Sequence, residues 1–268
     1  MNAAMQYAEE LRTFAPIEYE TLRFYPLAVK HFALYQTAKA AMEIMLSTLP
    51  IQFVRLSWIQ ALEALDREAQ KSNIATGYLG SFLLLLATAL RLDLKDQHSI
   101  MLARGEDGKL SAIVVRQSKE NAPVALTGKH FNDVREILAA QNGFVIPDEN
   151  WNPELVKAQA YIRNQQSGTG SGGSLEDAVF ALAAATGQRP AEIWDWPIRE
   201  FTQMQSAVDR RLRFMLCGAA ELSGQIKFTK GNPYPTWIWE NRGNLPHGFK
   251  SLNDLDKEAG GTLALPNN

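Results

Sequence analysis

Gln165–Ser174 reads QQSGTGSGGS, and its interpretation decides the architecture. Gly168, Gly170 and Gly173 spell G-x-G-x-x-G, the spacing of a dinucleotide-binding turn. Such a turn needs a strand entering the glycines, a helix leaving them, and an acid on the next strand about 20 residues later. Only the helix is written here. The approach, KAQAYIRNQQS, is polar and helical, and an Ala-rich helical stretch leads from Gly173 to Trp194. Gly/Ser composition without the entering strand describes a flexible tether, so residues 165–174 are read as a linker between two helical bodies.

Upstream, Phe32–Leu49 is rich in Ala, Met and Leu at helical spacing and is closed by Pro50, since a proline disfavours helix in the residue before it. A second helix follows in IQFVRLSWIQALEALDREAQ, with Phe53, Leu56, Ile59 or Trp58, Leu62 and Leu65 on one stripe. The apolar run Gly77–Leu90 is too short to cross a bilayer and reads as a buried helix. Three wide apolar faces can bury one another without a sheet. The pattern then changes: SIMLARGEDGKLSAIVVRQ places two aliphatic runs around Asp107-Gly108, a hairpin signal, with strands expected at Ile100–Arg104 and Lys109–Gln117. A short extended PVALT leads into a helix begun near Thr127 and stopped by Gly143, and a further helix opens at Pro153.

Downstream, Ser174 with Asp177 has the form of an N-cap with an acid at N3, and Gly187 ends the helix that follows. A short turn at Gln188–Trp194 precedes a long helix opened by Pro197. The fold class is therefore mainly α: a helical N-terminal bundle over 1–164 with a β-hairpin insertion near 99–117, the linker at 165–174, a small helical C-terminal domain over 175–249, and a flexible tail over 250–268.

Lys plus Arg number 27 against 29 Asp plus Glu, a net charge of −2 that provides no field to attract a nucleic-acid backbone. Nucleic acid and membrane are therefore not expected as partners. A single cysteine, Cys217, fits a reducing compartment, and no secretory signal opens the sequence. His31, His98, His130 and His247 are scattered, with no nucleophile motif and no metal-ligand spacing, so no cofactor or metal and no enzymatic activity are expected. The acid pairs Asp93/Asp96, Glu106/Asp107 and Asp148/Glu149 fall at helix ends, turns or loops, where solvated carboxylates belong.

Arg210, Arg211 and Arg213 make a local basic cluster, for which a solvated helix face is the simpler reading. Trp194, Trp196 and Phe201, with Trp237 and Trp239 later, are many large rings for about 90 residues to bury. Core burial is the better reading for Trp194 and Phe201, while tryptophan and arginine are also the residues that anchor protein interfaces.

The stretch ATGQRPAEIWDWPIREFTQMQ, residues 185–205, resembles the C-terminal portion of phage tail assembly chaperones, in its Arg189-Pro190-Ala191-Glu192 turn, Ile193-Trp194-Asp195 and a Pro197-opened helix with Arg199-Glu200-Phe201. FYPLAVKHFALYQTAKAAMEIMLSTLP and FNDVREILAAQNGFVIPDENWNPELVKAQA are similar to stretches of tail-cluster proteins of phages and phage-like elements of Gram-positive bacteria. The resemblance implies a protein of the host cytoplasm that keeps the tape-measure protein soluble while tail-tube subunits polymerise around it, with self-association as a further property. The aromatic grouping and the arginines near it put Trp194, Trp196, Arg199, Phe201, Arg210, Arg211, Trp237 and Trp239 forward as candidate protein-interaction residues. The alternative is a structural baseplate or tail subunit of a phage or contractile injection system, which would reside in the particle.

Overall fold

Tyr78–Ala89 has almost no polar face, and a helix of that kind is stable in water only when other elements cover it. The computed structural model describes residues 3–53, 55–74, 76–93, 95–96, 98–118, 120–144, 146, 174–223 and 236–238. In chain order it contains helices α1 (Ala3–Gln6) and α2 (Ala8–Thr13), strands β1 (Ile17–Tyr19) and β2 (Leu22–Phe24), and helices α3 (Phe32–Met42), α4 (Trp58–Lys71) and α5 (Tyr78–Ala89). Strands β3 (Ile100–Arg104), β4 (Leu110–Val115) and β5 (Val124–Thr127) come next, then α6 (Gly128–Asn142), α7 (Leu175–Thr186), α8 (Pro190–Ile193) and α9 (Ile198–Leu222). The apolar helix α5 packs against both α3 and α4, so the three helices do share their faces.

Both sheets are small and antiparallel. β3 and β4 pair Ile100 with Val115 and Leu102 with Ile113, with a register shift between Ala103 and Arg104, and β5 lies on the other side of β4. The turn expected at Asp107-Gly108 is present, with Gly108 at φ 73°, where a side chain is poorly tolerated. The β1–β2 hairpin is new: three-residue strands around Glu20, itself at φ 53°, are too short for periodicity to announce. Ile17, Phe24, Leu62, Phe82, Ile113 and Phe131 belong to one buried core shared by strands and helices.

Two expected helices are shorter than the sequence suggests. Apolar spacing runs to Leu49, but α3 stops at Met42, whose carbonyl and that of Ile44 just beyond it are bound by a side chain from another element. The buried Arg135 of α6 donates from Nε to Met42 O at 2.6 Å and from Nη2 to Ile44 O at 2.9 Å, while its guanidinium lies over the Trp58 ring at 4.9 Å. Short 3₁₀ turns at Leu46–Thr48 and Ile51–Phe53 carry the chain onward. α4 begins only at Trp58, where Ser57 N–H donates to Gln60 Oε1 at 3.0 Å and Gln60 Nε2 reaches Leu110 O on β4 at 2.8 Å.

The start of α5 has no cap of its own, since Gly77 precedes it. Asp66 of α4 supplies one: its carboxylate accepts from Tyr78 N–H at 2.8 Å, Leu79 N–H at 2.9 Å and Thr76 Oγ1 at 2.6 Å. A negative group facing open N–H donors at a helix start is favourable both as hydrogen-bond acceptor and against the helix dipole. Replacing Asp66 by Ala should lower unfolding stability by about 2 kcal/mol, with Asp66→Asn losing less, as read from urea denaturation.

Glu63 of α4, mostly buried, accepts from Arg104 Nη2 at 2.6 Å and from Arg67 Nη2 at 2.9 Å, tying β3 to the helix. Burial alone raises its carboxyl, but the hydrogen bonds and charges of Arg104 and Arg67 together overcome that and hold it below its ordinary range. Because the folded-state pKa is the lower one, this stabilisation is complete above the ordinary glutamate value, about 4.3, and is lost as pH falls through the folded value. A Glu63→Gln variant should therefore be less stable than wild type at pH 6, with the difference narrowing towards pH 3 in thermal unfolding.

Contacts divide the chain into two compact units, Met1–Gln203 and Met204–Asn268. The sequence reading opens a second body at residue 175, whereas this division falls inside α9, with α7 and α8 in the first unit. The linker with Gly168, Gly170 and Gly173, the helix opened at Pro153 and the tail over 250–268 lie outside the described residues.

Candidate functional site

α7 forms as its residues dictate. Ser174 N–H donates to Asp177 Oδ2 at 2.9 Å, Asp177 N–H returns a bond to Ser174 Oγ at 3.1 Å, and Gly187 closes the helix at φ 75°. Those bonds, backbone first, hold the Asp177 carboxyl below its ordinary range. Val179, Leu182 and Ile193 are fully buried or nearly so.

The residues after α8 are then held by a segment more than 150 positions earlier in the chain. Lys30 N–H donates to Trp194 O at 3.0 Å, Val29 N–H to Trp196 O at 2.9 Å, and Ile198 N–H to Leu27 O at 2.8 Å, with Ala28 and Pro197 bridged antiparallel between them. Leu27 is fixed from the other side as well, because its N–H donates to Asn142 Oδ1 at 3.2 Å, and Gln141 Nε2 donates to Phe24 O at 2.9 Å. Ile198 joins the same hydrophobic core as Phe24 and Phe131. The Lys30–Asp195 ion pair at 2.7 Å is exposed on both partners and adds little.

This seam accounts for four of the eight candidate interaction residues. Trp194 and Trp196 are half-buried with their carbonyls committed to Lys30 and Val29, and Phe201 is buried. Arg199, half-buried, reaches Ala140 O at 3.3 Å, and burial pulls its guanidinium pKa down. Gly143, at φ 78°, lies against it: a Cβ there would meet Arg199 Cγ at 3.2 Å.

In the second unit, Arg210 Nε donates to Trp237 O at 3.4 Å and the exposed Arg211 guanidinium lies 6.0 Å from the centre of the Trp237 ring. Trp237 is 41% exposed and its neighbour Ile238 66%. This places an indole, an aliphatic side chain and two guanidinium groups together at the surface. Trp239 lies outside the described residues. Arg213, the third member of the basic cluster, pairs with Asp209 one turn earlier at 2.9 Å.

The sequence reading missed two features. Leu27–Lys30 has no local signal for pairing with Trp194–Ile198. The other is a row on α9, Met204, Val208, Leu212, Met215, Ala219 and Leu222, with Leu212 54%, Met215 55% and Leu222 91% exposed. Its spacing of 4, 4, 3, 4 and 3 residues is legible in the sequence, between the arginines of the same helix.

Among the described residues no group of three or more His, Cys, Asp or Glu side chains is placed to hold a metal ion, and no helix is long and apolar enough to cross a membrane. The chain matches no protein-family model, no curated protein and no solved structure.

Gly143→Ala forces a Cβ into left-handed backbone and against Arg199, so it should cost about 1–2 kcal/mol. Ile198→Ala, emptying a core position, should cost about 2–4 kcal/mol. Because Ile198 and Phe24 share one core, both variants should shift the main unfolding transition in urea as a whole. A transition unchanged by Ile198→Ala would mean that residues 174–203 unfold apart from the rest.

Proposed function

We propose that the chain is a non-enzymatic assembly factor that binds another protein through the second unit, in the manner of the phage tail assembly chaperones that residues 185–205 resemble. The observation that carries this reading is the exposed Trp237–Ile238 pair, with Arg211 over the indole and Arg210 on the Trp237 carbonyl. An indole left partly in water beside guanidinium groups presents the residue types that dominate binding energy at protein interfaces, and its orientation is already fixed before a partner arrives. Trp194 and Trp196 take a supporting role through backbone bonds to the Leu27–Lys30 segment, Arg199 through its bond to Ala140 O on α6, and Phe201 by its burial.

On this reading the partners are the tape-measure protein and tail-tube subunits, encountered in the host cytoplasm. A partner long enough to present repeated helical segments gains from a chaperone that covers apolar surface until polymerisation replaces it. Co-expression with a tape-measure protein from the same gene cluster tests it: wild-type chain should raise the soluble fraction of that protein several-fold, and Trp237→Ala with Arg211→Ala should remove most of the gain while leaving the chain's own thermal unfolding unchanged. No gain with wild type would overturn the proposal. Mass spectrometry of purified particles should find the chain absent; a fixed copy number there would make it a structural tail subunit instead.

A further inference from the structure

α9 begins with its apolar side inward, at Ile198 and Phe201, and the same side continues beyond Gln203 as Val208, Leu212, Met215, Ala219 and Leu222. These are spaced 4, 3, 4 and 3 residues apart, the spacing of a two-helix coiled-coil seam, with Met204 and Leu216 at its edges. Met204, Leu212, Met215, Leu216 and Leu222 are all exposed beyond a third of their surface, although the Trp237 contact occupies the arginine side of the same helix. Among the described residues no second helix lies along this seam.

We propose that the second helix is α9 of another copy of this chain, lying antiparallel. The row is self-complementary when reversed: Leu212 meets Met215 of the other copy, Val208 meets Ala219, and Gln205 meets Leu222. Each contact recurs on the other side of a two-fold axis, as a closed symmetric dimer requires. Sizes match as well. The antiparallel order sets Ala219 against the larger Val208, whereas a parallel pair in register stacks Ala219 on Ala219 and leaves a gap at that layer.

Charge is compatible with this arrangement. The groups flanking the seam are Arg211 on one side and Asp209 on the other, and in the antiparallel pair they come beside Gly218 and Leu216 of the second copy, so no like charges are opposed. Asp209 keeps its own Arg213 at 2.9 Å within the helix. From Gln205 to Leu222 the seam is about 26 Å long at 1.5 Å per residue. Two such helices bury on the order of 1,000 Å² in total, at the small end of specific interfaces, which makes the dimer reversible and dependent on concentration. The inference does not rest on the tail-assembly reading, since it is argued from the seam residues alone, although Arg211 borders both the seam and the Trp237 ring.

The test is sedimentation equilibrium of the full chain over a range from about 1 to 100 μM, where a dimer of this size should assemble progressively. Leu212→Glu combined with Met215→Glu, both at positions already half in water, should keep the chain monomeric throughout with the thermal unfolding of the monomer unchanged. Direction is read by disulfide formation on a Cys217→Ser background: an equimolar mixture of Gln205→Cys and Leu222→Cys chains should cross-link, whereas either variant alone should not. A chain monomeric at every concentration, a dimer insensitive to the two glutamates, or cross-linking of Gln205→Cys with itself would each overturn the proposal. Loss of the dimer in the Leu212→Glu/Met215→Glu chain with tape-measure solubilisation retained would separate this contact from the one proposed for Trp237.

Discussion

Buried peptide groups must find partners, and in this protein that constraint acts most sharply on Phe24–Lys30. The segment leaves the β1–β2 hairpin without entering a sheet, so its N–H and C=O groups have no ladder to join. Gln141 and Asn142 take one side, and Trp194–Ile198 take the other. Leu27 is bonded in both directions, to the end of α6 through its N–H and to the start of α9 through its C=O. Each of these interactions is worth about 1 kcal/mol net, but leaving a buried group without its partner costs about 1–3 kcal/mol, so the arrangement is held by the penalty for breaking it.

Cross-element bonds of the same kind recur. Arg135 takes the carbonyls at and just beyond the end of α3, Asp66 caps α5, which has no cap of its own, and Glu63 ties β3 to α4. All three join residues from different elements. A buried arginine is tolerated because both carbonyls and the Trp58 face are already in position for it. This explains how a chain with small sheets and short helices still builds a single shared core that includes a residue as late as Ile198.

On the proposed reading, labour is divided along α9. Its first turn is anchored, with Ile198 and Phe201 buried and Arg199 over the end of α6, and its later turns present two different surfaces. One carries Trp237 and the arginines, the other the Met/Leu row. A helix fixed at one end offers both surfaces without further ordering of its backbone, which lowers the entropic cost of association. Weak contacts of this kind suit proteins that must release what they hold.

The sequence by itself determined much of the local structure. The Asp107-Gly108 turn, the Gly143 and Gly187 helix stops, the Ser174/Asp177 cap and the apolar run of α5 all follow from short-range rules about φ, capping and periodicity, and all stand where those rules put them. The spacing of the α9 row was equally legible, since heptads need only seven residues to repeat. Tertiary structure alone decided that α3 ends at Met42 and that Trp194–Ile198 pairs with Leu27–Lys30, whereas the burial of Phe201 was already expected from the sequence. Those outcomes depend on hydrogen bonds between residues separated by about 90 to 170 positions, and backbone pairing of that kind leaves no mark on the side chains that a one-dimensional reading can see.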